Sequence, residues 1–172
     1  MKLYQGRIPQ IAKDILEALT REEDIEVLPE EAPEVELDIS SVLKEYIRVD
    51  RDITDKARDL IASRDLPYNQ LSKIKGQLAA ERGFGLNDDA VDYITSQIIE
   101  VLLHTVHVEE VYAEDHELRR KMRPVLRRHM EVDTELDHEV RRRIKNLQEG
   151  TSSWETEYQK VMEDLKRTRK LD

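Results

Sequence analysis

The residues best suited to binding or chemistry lie in one segment, 108–128, where acids and a histidine precede closely spaced cations. Guanidinium and ammonium groups bind carboxylates and phosphates, and contacts to phosphate need no base sequence. The segment therefore predicts a partner-binding surface. Its cationic members are Arg119, Arg120, Lys121, Arg123, Arg127 and Arg128. Acids followed by cations also suit the dipole of a helix, so ordinary helix stabilisation is an alternative explanation that the sequence leaves open.

A protein partner ranks ahead of nucleic acid for this surface. The chain has 172 residues and a net charge of −10, which repels a polyanion unless a local basic face overrides it. Aromatic residues, on which bases of single-stranded RNA would stack, do not interleave with the arginines. Self-association also stays open, because a second copy of the chain could supply the partner surface.

A second explanation of these charges comes from an acidic stretch. Residues 22–38 contain nine acids and no base. Surfaces of opposite charge select orientation more than they add stability. We therefore hypothesise that the acidic stretch complements the cations of segment 108–128, either within one molecule or between two.

Two histidines, His104 and His107, stand close to Glu109 and Glu110 and raise the question of a metal site. Zinc uses imidazole and carboxylate ligands, but the H-E-x-x-H pattern and a third ligand at fixed spacing are missing. A histidine near a helix end also interacts with exposed carbonyls. We predict no metal and no cofactor, and a metal-dependent enzyme ranks third among the functions considered.

Catalytic signatures do not emerge elsewhere in the sequence. It contains no G-x-S-x-G string, no Walker A string and no G-x-G-x-x-G before a helix. It has no cysteine, which excludes disulfides and thiolate metal sites. We therefore predict no catalytic residue and favour a protein without enzymatic activity.

The elements that must position these residues are revealed by an internal duplication at an offset of 83 residues. A gapless match of this kind indicates one supersecondary unit used twice. The sequence predicts two tandem three-helix repeats, residues 1–83 and 84–172, packed about a pseudo-two-fold axis as one compact unit. The matched positions include Ile11 with Ile94, Ile15 with Ile98, Leu19 with Leu102, Val42 with Val125 and Leu43 with Leu126.

Each repeat reads as a short helix, an extended connector, a long central helix and a third helix, so the fold class is all-α. Apolar residues on the long helices step by four and three, as in a coiled-coil seam. The connectors, 25–28 and 108–111, alternate weakly and could form short strands. Pro124 lies inside the second long helix and predicts a kink or break near residues 121–123.

Composition supports long amphipathic helices with solvated faces. Charged residues make up 38% of the chain and aromatic residues only 5%. No apolar run approaches the roughly 20 residues that span a bilayer, and the opening residues lack the apolar core of a signal peptide. We expect a cytoplasmic protein that does not enter a membrane.

With its segments laid out, the chain resembles the bacterial domain-of-unknown-function 507 family. The resemblance covers essentially the whole length and rests on KLYQGRIPQIAKDI, VELDISSVLKEYIR, ERGFG and VEEVYAEDHELRRKMRPVL. It implies a small bacterial cytoplasmic protein and carries no activity, ligand or catalytic residue. The specific opening around Tyr4 predicts a segment that docks on the body or serves recognition. Trp154 is interpreted as a core residue or as an anchor for a partner.

Overall fold

The computed structural model describes residues 2–172, and most of these are helical. The all-α prediction is confirmed, and the extended connectors form a single two-stranded sheet in the described residues. The α-helices are α1 (Ile8–Thr20), α2 (Ala32–Ser63), α3 (Leu71–Glu81), α4 (Ala90–His104), α5 (Asp115–Met130), α6 (Val132–Arg143) and α7 (Ser152–Thr168). The strands are β1 (Ile25–Glu26) and β2 (Glu110–Val111).

The first helix shows how local sequence produces an element and buries one of its faces. Pro9 lies in the first turn, where the absence of an N–H costs no intrahelical hydrogen bond. Ile11, Ile15 and Leu19 follow at helical spacing and are fully buried. Each such side chain contributes roughly 1.5–3 kcal/mol on burial, so this stripe holds α1 in the core.

Helix bounds in the two halves agree when the offset of 83 residues is applied. Residues 8–20 map onto 91–103, within α4, and residues 32–63 map onto 115–146, which span α5 and α6. Helix α1 packs against α2 and α5, and α4 packs against α5 and α2. One core cluster therefore draws buried residues from both halves. The pseudo-two-fold relation between the halves stays a prediction.

The two connectors meet in the sheet. Strand β1 pairs with β2 in antiparallel register, with Ile25 opposite Val111 and Glu26 opposite Glu110. The side chain of Ile25 in β1 is buried and belongs to the main core cluster. This pairing ties the connector of one half to that of the other, next to the start of both long helices.

The second long helix is interrupted, but the break that Pro124 predicts near residues 121–123 does not occur there. Helix α5 continues through Pro124 to Met130, and the interruption lies at Glu131. Pro124 is exposed, so water can satisfy the carbonyl that its missing N–H leaves unpaired. At the interruption, the Met130 carbonyl accepts a hydrogen bond from the Lys2 N–H at 3.0 Å. The break therefore occurs where the opening segment supplies a donor.

Beyond the break, α6 and α7 build a second apolar cluster with the two ends of the chain. Its buried members are Tyr4, Val132, Leu136, Val140, Ile144, Leu165 and Leu171. Trp154 is partly buried against this cluster and stacks on Tyr158, with ring centroids 5.0 Å apart. The predicted docking of the opening on the body is confirmed. None of the helices in residues 2–172 has the length and apolar character that crossing a bilayer demands.

Candidate functional site

The predicted partner-binding residues all lie on α5, whose start is fixed by its own acids. Glu114 occupies the N-cap, and its backbone N–H donates to the Glu117 carboxylate at 2.9 Å, while the Glu114 side chain caps in return. These acids face the positive end of the helix dipole, and cations occupy the last turn. The buried face, Leu118, Met122 and Leu126 among others, packs between α1 and α4.

On the side of α5 that faces α1 and β1, Lys121 is held by two acids. Its ammonium group donates to Glu22 at 2.9 Å and to Asp24. The side chain is only 17% exposed. Hydrogen bonds to Asp24 and Glu22 raise the pKa of Lys121 above its ordinary value. This cation of the predicted surface is therefore engaged with the acidic stretch of the same molecule.

Two turns further along α5, Arg128 and His129 both contact Asp14 of α1. Arg128 Nη2 lies 3.2 Å and His129 Nε2 lies 2.8 Å from Asp14 Oδ2. Burial favours a higher pKa for Asp14, but hydrogen bonds from His129 and Gln10 and the Arg128 charge lower it overall. His129 is buried, and Asp14 is its hydrogen-bond partner.

On the opposite side, α5 is joined to α4 by two arginines. Arg119 Nη1 donates to Ser96 Oγ at 2.8 Å, and Arg123 Nε donates to Asp92 Oδ1 at 2.7 Å. Cations thus tether both sides of α5 to neighbouring helices.

Two arginines of the predicted set remain. Arg120 and Arg127 are exposed, and neither makes a hydrogen bond or ion pair within residues 2–172. They stand seven residues apart, which is two helical turns, so both point from one face of α5. Lysine and arginine density alone predicted six equivalent residues, but the structure separates two free cations from four that are engaged within the fold.

The histidines considered for metal binding do not converge. His104 is exposed, with Nδ1 2.7 Å from the Glu100 carbonyl, as expected for a histidine near a helix end. His107 Nδ1 lies 2.5 Å from Glu31 Oε2, and this hydrogen bond raises the pKa of His107. Residues 2–172 bring no three histidine, aspartate or glutamate side chains together in a way that could hold a metal ion.

Sequence reasoning missed a cleft of about 840 Å³ between the two ends of the chain and the middle of α2. Its lining carries cations and acids in similar number, and Lys75 already pairs with Asp50 at 2.8 Å. The charged lining residues are Lys2, Asp50, Arg51, Asp55, Arg58, Lys75 and Asp172. The balance of signs indicates no particular ligand. The specific opening KLYQ was the one sequence signal at this place.

Comparison with known proteins identifies the family of the chain. Residues 1–171 match the family model described as "Protein of unknown function (DUF507)". No curated protein matches the chain. The resemblance drawn from its sequence strings is thereby confirmed over nearly the whole length.

Proposed function

Because the chain belongs to the DUF507 family, whose description assigns no activity, we propose a function from its own residues. The protein is a non-enzymatic helical adaptor that binds an acidic segment of a partner protein through the exposed face of α5. The observation that carries this proposal is that Arg120 and Arg127 lie exposed on one helix face and make no hydrogen bond or ion pair with any residue the structure describes.

The engaged neighbours support the proposal because they fix the orientation of α5. Lys121 and Arg128 hold α5 to residues before α2, and Arg119 and Arg123 hold it to α4. A helix anchored on both sides presents its outward arginines without reorganisation, which lowers the cost of binding. Arginine can also meet a carboxylate with two parallel hydrogen bonds, which lysine cannot.

The test is affinity capture from lysate of the source cells with wild-type protein and the double variant Arg120→Glu/Arg127→Glu. Arg64→Glu/Arg142→Glu is the matched control, because both arginines are exposed, neither side chain pairs with another group in the part of the chain that the structure describes, and the charge change is equal. We expect the control to retain the partner and the α5 variant to lose it. Equal capture by the two variants would refute a role for this face.

Nucleic acid and self-association are distinguished in the same experiment. Capture that disappears after nuclease treatment and weakens steeply with salt would identify nucleic acid as the ligand instead. Sedimentation velocity of the two double variants separates self-association, because only an α5 interface between copies would dissociate in Arg120→Glu/Arg127→Glu.

We also propose, from the sequence, that the protein is bacterial and located in the cytoplasm. Cell fractionation followed by immunoblotting tests the location, and recovery of the protein in the membrane pellet would contradict it.

A further inference from the structure

A different surface, at the end of the molecule that holds the sheet, exposes apolar side chains. We call it the sheet end: β1, β2 and the adjoining ends of α1, α2, α4 and α5. Five of the seven large apolar side chains that are exposed in residues 2–172 lie there, and Val106 is 86% exposed. The five are Leu28, Leu37, Leu103, Val106 and Tyr112. Such a concentration typically marks an interaction site.

These apolar side chains are carried on a fixed frame. Thr105 Oγ1 donates to Asp38 Oδ2 at 2.6 Å, which joins the residue before Val106 to the residue after Leu37. Tyr112 donates its hydroxyl hydrogen to Glu26 Oε2 at 2.7 Å. One contact therefore joins the end of α4 to α2, and the other joins the two connectors, so the surface is held in place before any partner arrives.

Carboxylates surround the apolar residues. Six acids at the sheet end are exposed and make no side-chain hydrogen bond or ion pair within the described residues: Glu23, Glu30, Glu34, Glu109, Glu110 and Asp115. Lys121, a cation beside them, is largely buried and already held by Glu22 and Asp24. The field at this end is therefore strongly negative.

We propose that the sheet end binds a basic amphipathic segment of a partner protein. Its apolar side chains cover Leu37, Val106 and their neighbours, and its lysines and arginines face the six carboxylates. Charge selects this occupant, because a second copy docking the same face would place like charges opposite each other, and nucleic acid would be repelled. The proposal does not depend on Arg120 and Arg127, which have the opposite charge and attract a different partner.

The probe is a synthetic amphipathic peptide of lysine and leucine, about 15 residues long, with leucines at helical spacing. Controls are a scrambled peptide of the same composition and a peptide with glutamate in place of lysine. Binding is followed by fluorescence anisotropy with wild-type protein, Leu37→Ser/Val106→Ser and the matched control Tyr68→Ser/Leu147→Ser. The control pair is also exposed and apolar but lies in the α2–α3 and α6–α7 connections.

We expect wild type and the control variant to bind the lysine peptide equally, and Leu37→Ser/Val106→Ser to bind it about tenfold more weakly. The scrambled peptide should bind weakly and the glutamate peptide not at all. Glu109→Lys/Glu110→Lys should lose the lysine peptide. All substituted residues are exposed, so melting curves should match wild type.

Equal binding by wild type and Leu37→Ser/Val106→Ser, or by the ordered and scrambled peptides, would overturn the proposal, because charge alone would then explain the affinity. A wild-type dimer in sedimentation that becomes monomeric in Leu37→Ser/Val106→Ser would also overturn it and identify a second copy as the occupant. Arg120→Glu/Arg127→Glu makes the protein more negative and should bind the peptide at least as tightly as wild type does, which separates this result from the test of α5.

Discussion

Gly6 marks the point where the opening segment crosses the end of the chain, and it provides the sharpest test of this packing. A Cβ at position 6 would lie 2.0 Å from the Lys170 carbonyl oxygen and 2.9 Å from the Leu171 carbonyl carbon. Both are backbone atoms, which cannot rotate aside as a flexible side chain can. The Gly6 N–H also donates to the Leu171 carbonyl at 3.0 Å. Gly6→Ala must therefore push the two ends of the chain apart.

The cost follows from what this separation breaks. Loss of the hydrogen bond between Gly6 and Leu171 removes about 1 kcal/mol. Leu171 is buried in the second apolar cluster, and exposing it partly or fully costs roughly 1–3 kcal/mol. We expect Gly6→Ala to lower the free energy of unfolding by about 2–4 kcal/mol, and the melting temperature by roughly 5–15 °C for a chain of this size.

Thermal unfolding followed by circular dichroism measures the effect, with Gly76→Ala as the matched control. Gly76 lies within α3, and a Cβ there meets no atom within 4 Å. The control should stabilise the protein by up to about 1 kcal/mol, because alanine has the higher helix propensity. A melting temperature of Gly6→Ala equal to wild type would refute the inferred crossing. Leu171→Ala should add little in the Gly6→Ala background if both changes disrupt one contact.

Three further predictions concern the core, the pH response and the shared fold. Ile98→Ala should lower the free energy of unfolding, measured in urea, by about 2–5 kcal/mol, because Ile98 is 0% exposed. Leu103 lies on the same helix but is 51% exposed, so Leu103→Ala should lower it by under about 0.5 kcal/mol. Equal losses would contradict the packing of α4. The hydrogen bond to Glu31 raises the pKa of His107. The stability that this pair contributes is therefore complete below the unfolded pKa near 6.5 and declines as the pH rises through the raised pKa of the folded state. Glu31→Gln should abolish this decline and return the His107 titration, followed by NMR, towards its ordinary range. Residues 1–83 or 84–172 expressed alone should lack cooperative unfolding, because the main core draws from both halves; a compact monomeric half would disprove the shared core.

Periodicity was sufficient for the helices because their apolar faces follow a simple rule. Ile11, Ile15 and Leu19 and their equivalents Ile94, Ile98 and Leu102 were identified from spacing and are all buried. A helix with such a stripe must cover it, whatever the neighbours are. The connectors could also be predicted, although only tertiary contact made strands of them.

The interruption of the second long helix shows where local rules stop. Pro124 is a helix breaker by its own chemistry, yet α5 continues through it and ends at Met130. At the break, the Met130 carbonyl accepts a hydrogen bond from the Lys2 N–H, which is 128 positions away in the sequence. No local pattern contains that information.

The sequence by itself determined the all-α class, the family and the density of cations in segment 108–128. Only the tertiary structure decided which of those cations are free. Lys121 binds Glu22 and Asp24, whereas its neighbour Arg120 stays exposed. Successive helical residues point about 100° apart, so the two side chains leave α5 on different sides. Charge is a property of a residue, but its availability depends on which surfaces the fold brings against it.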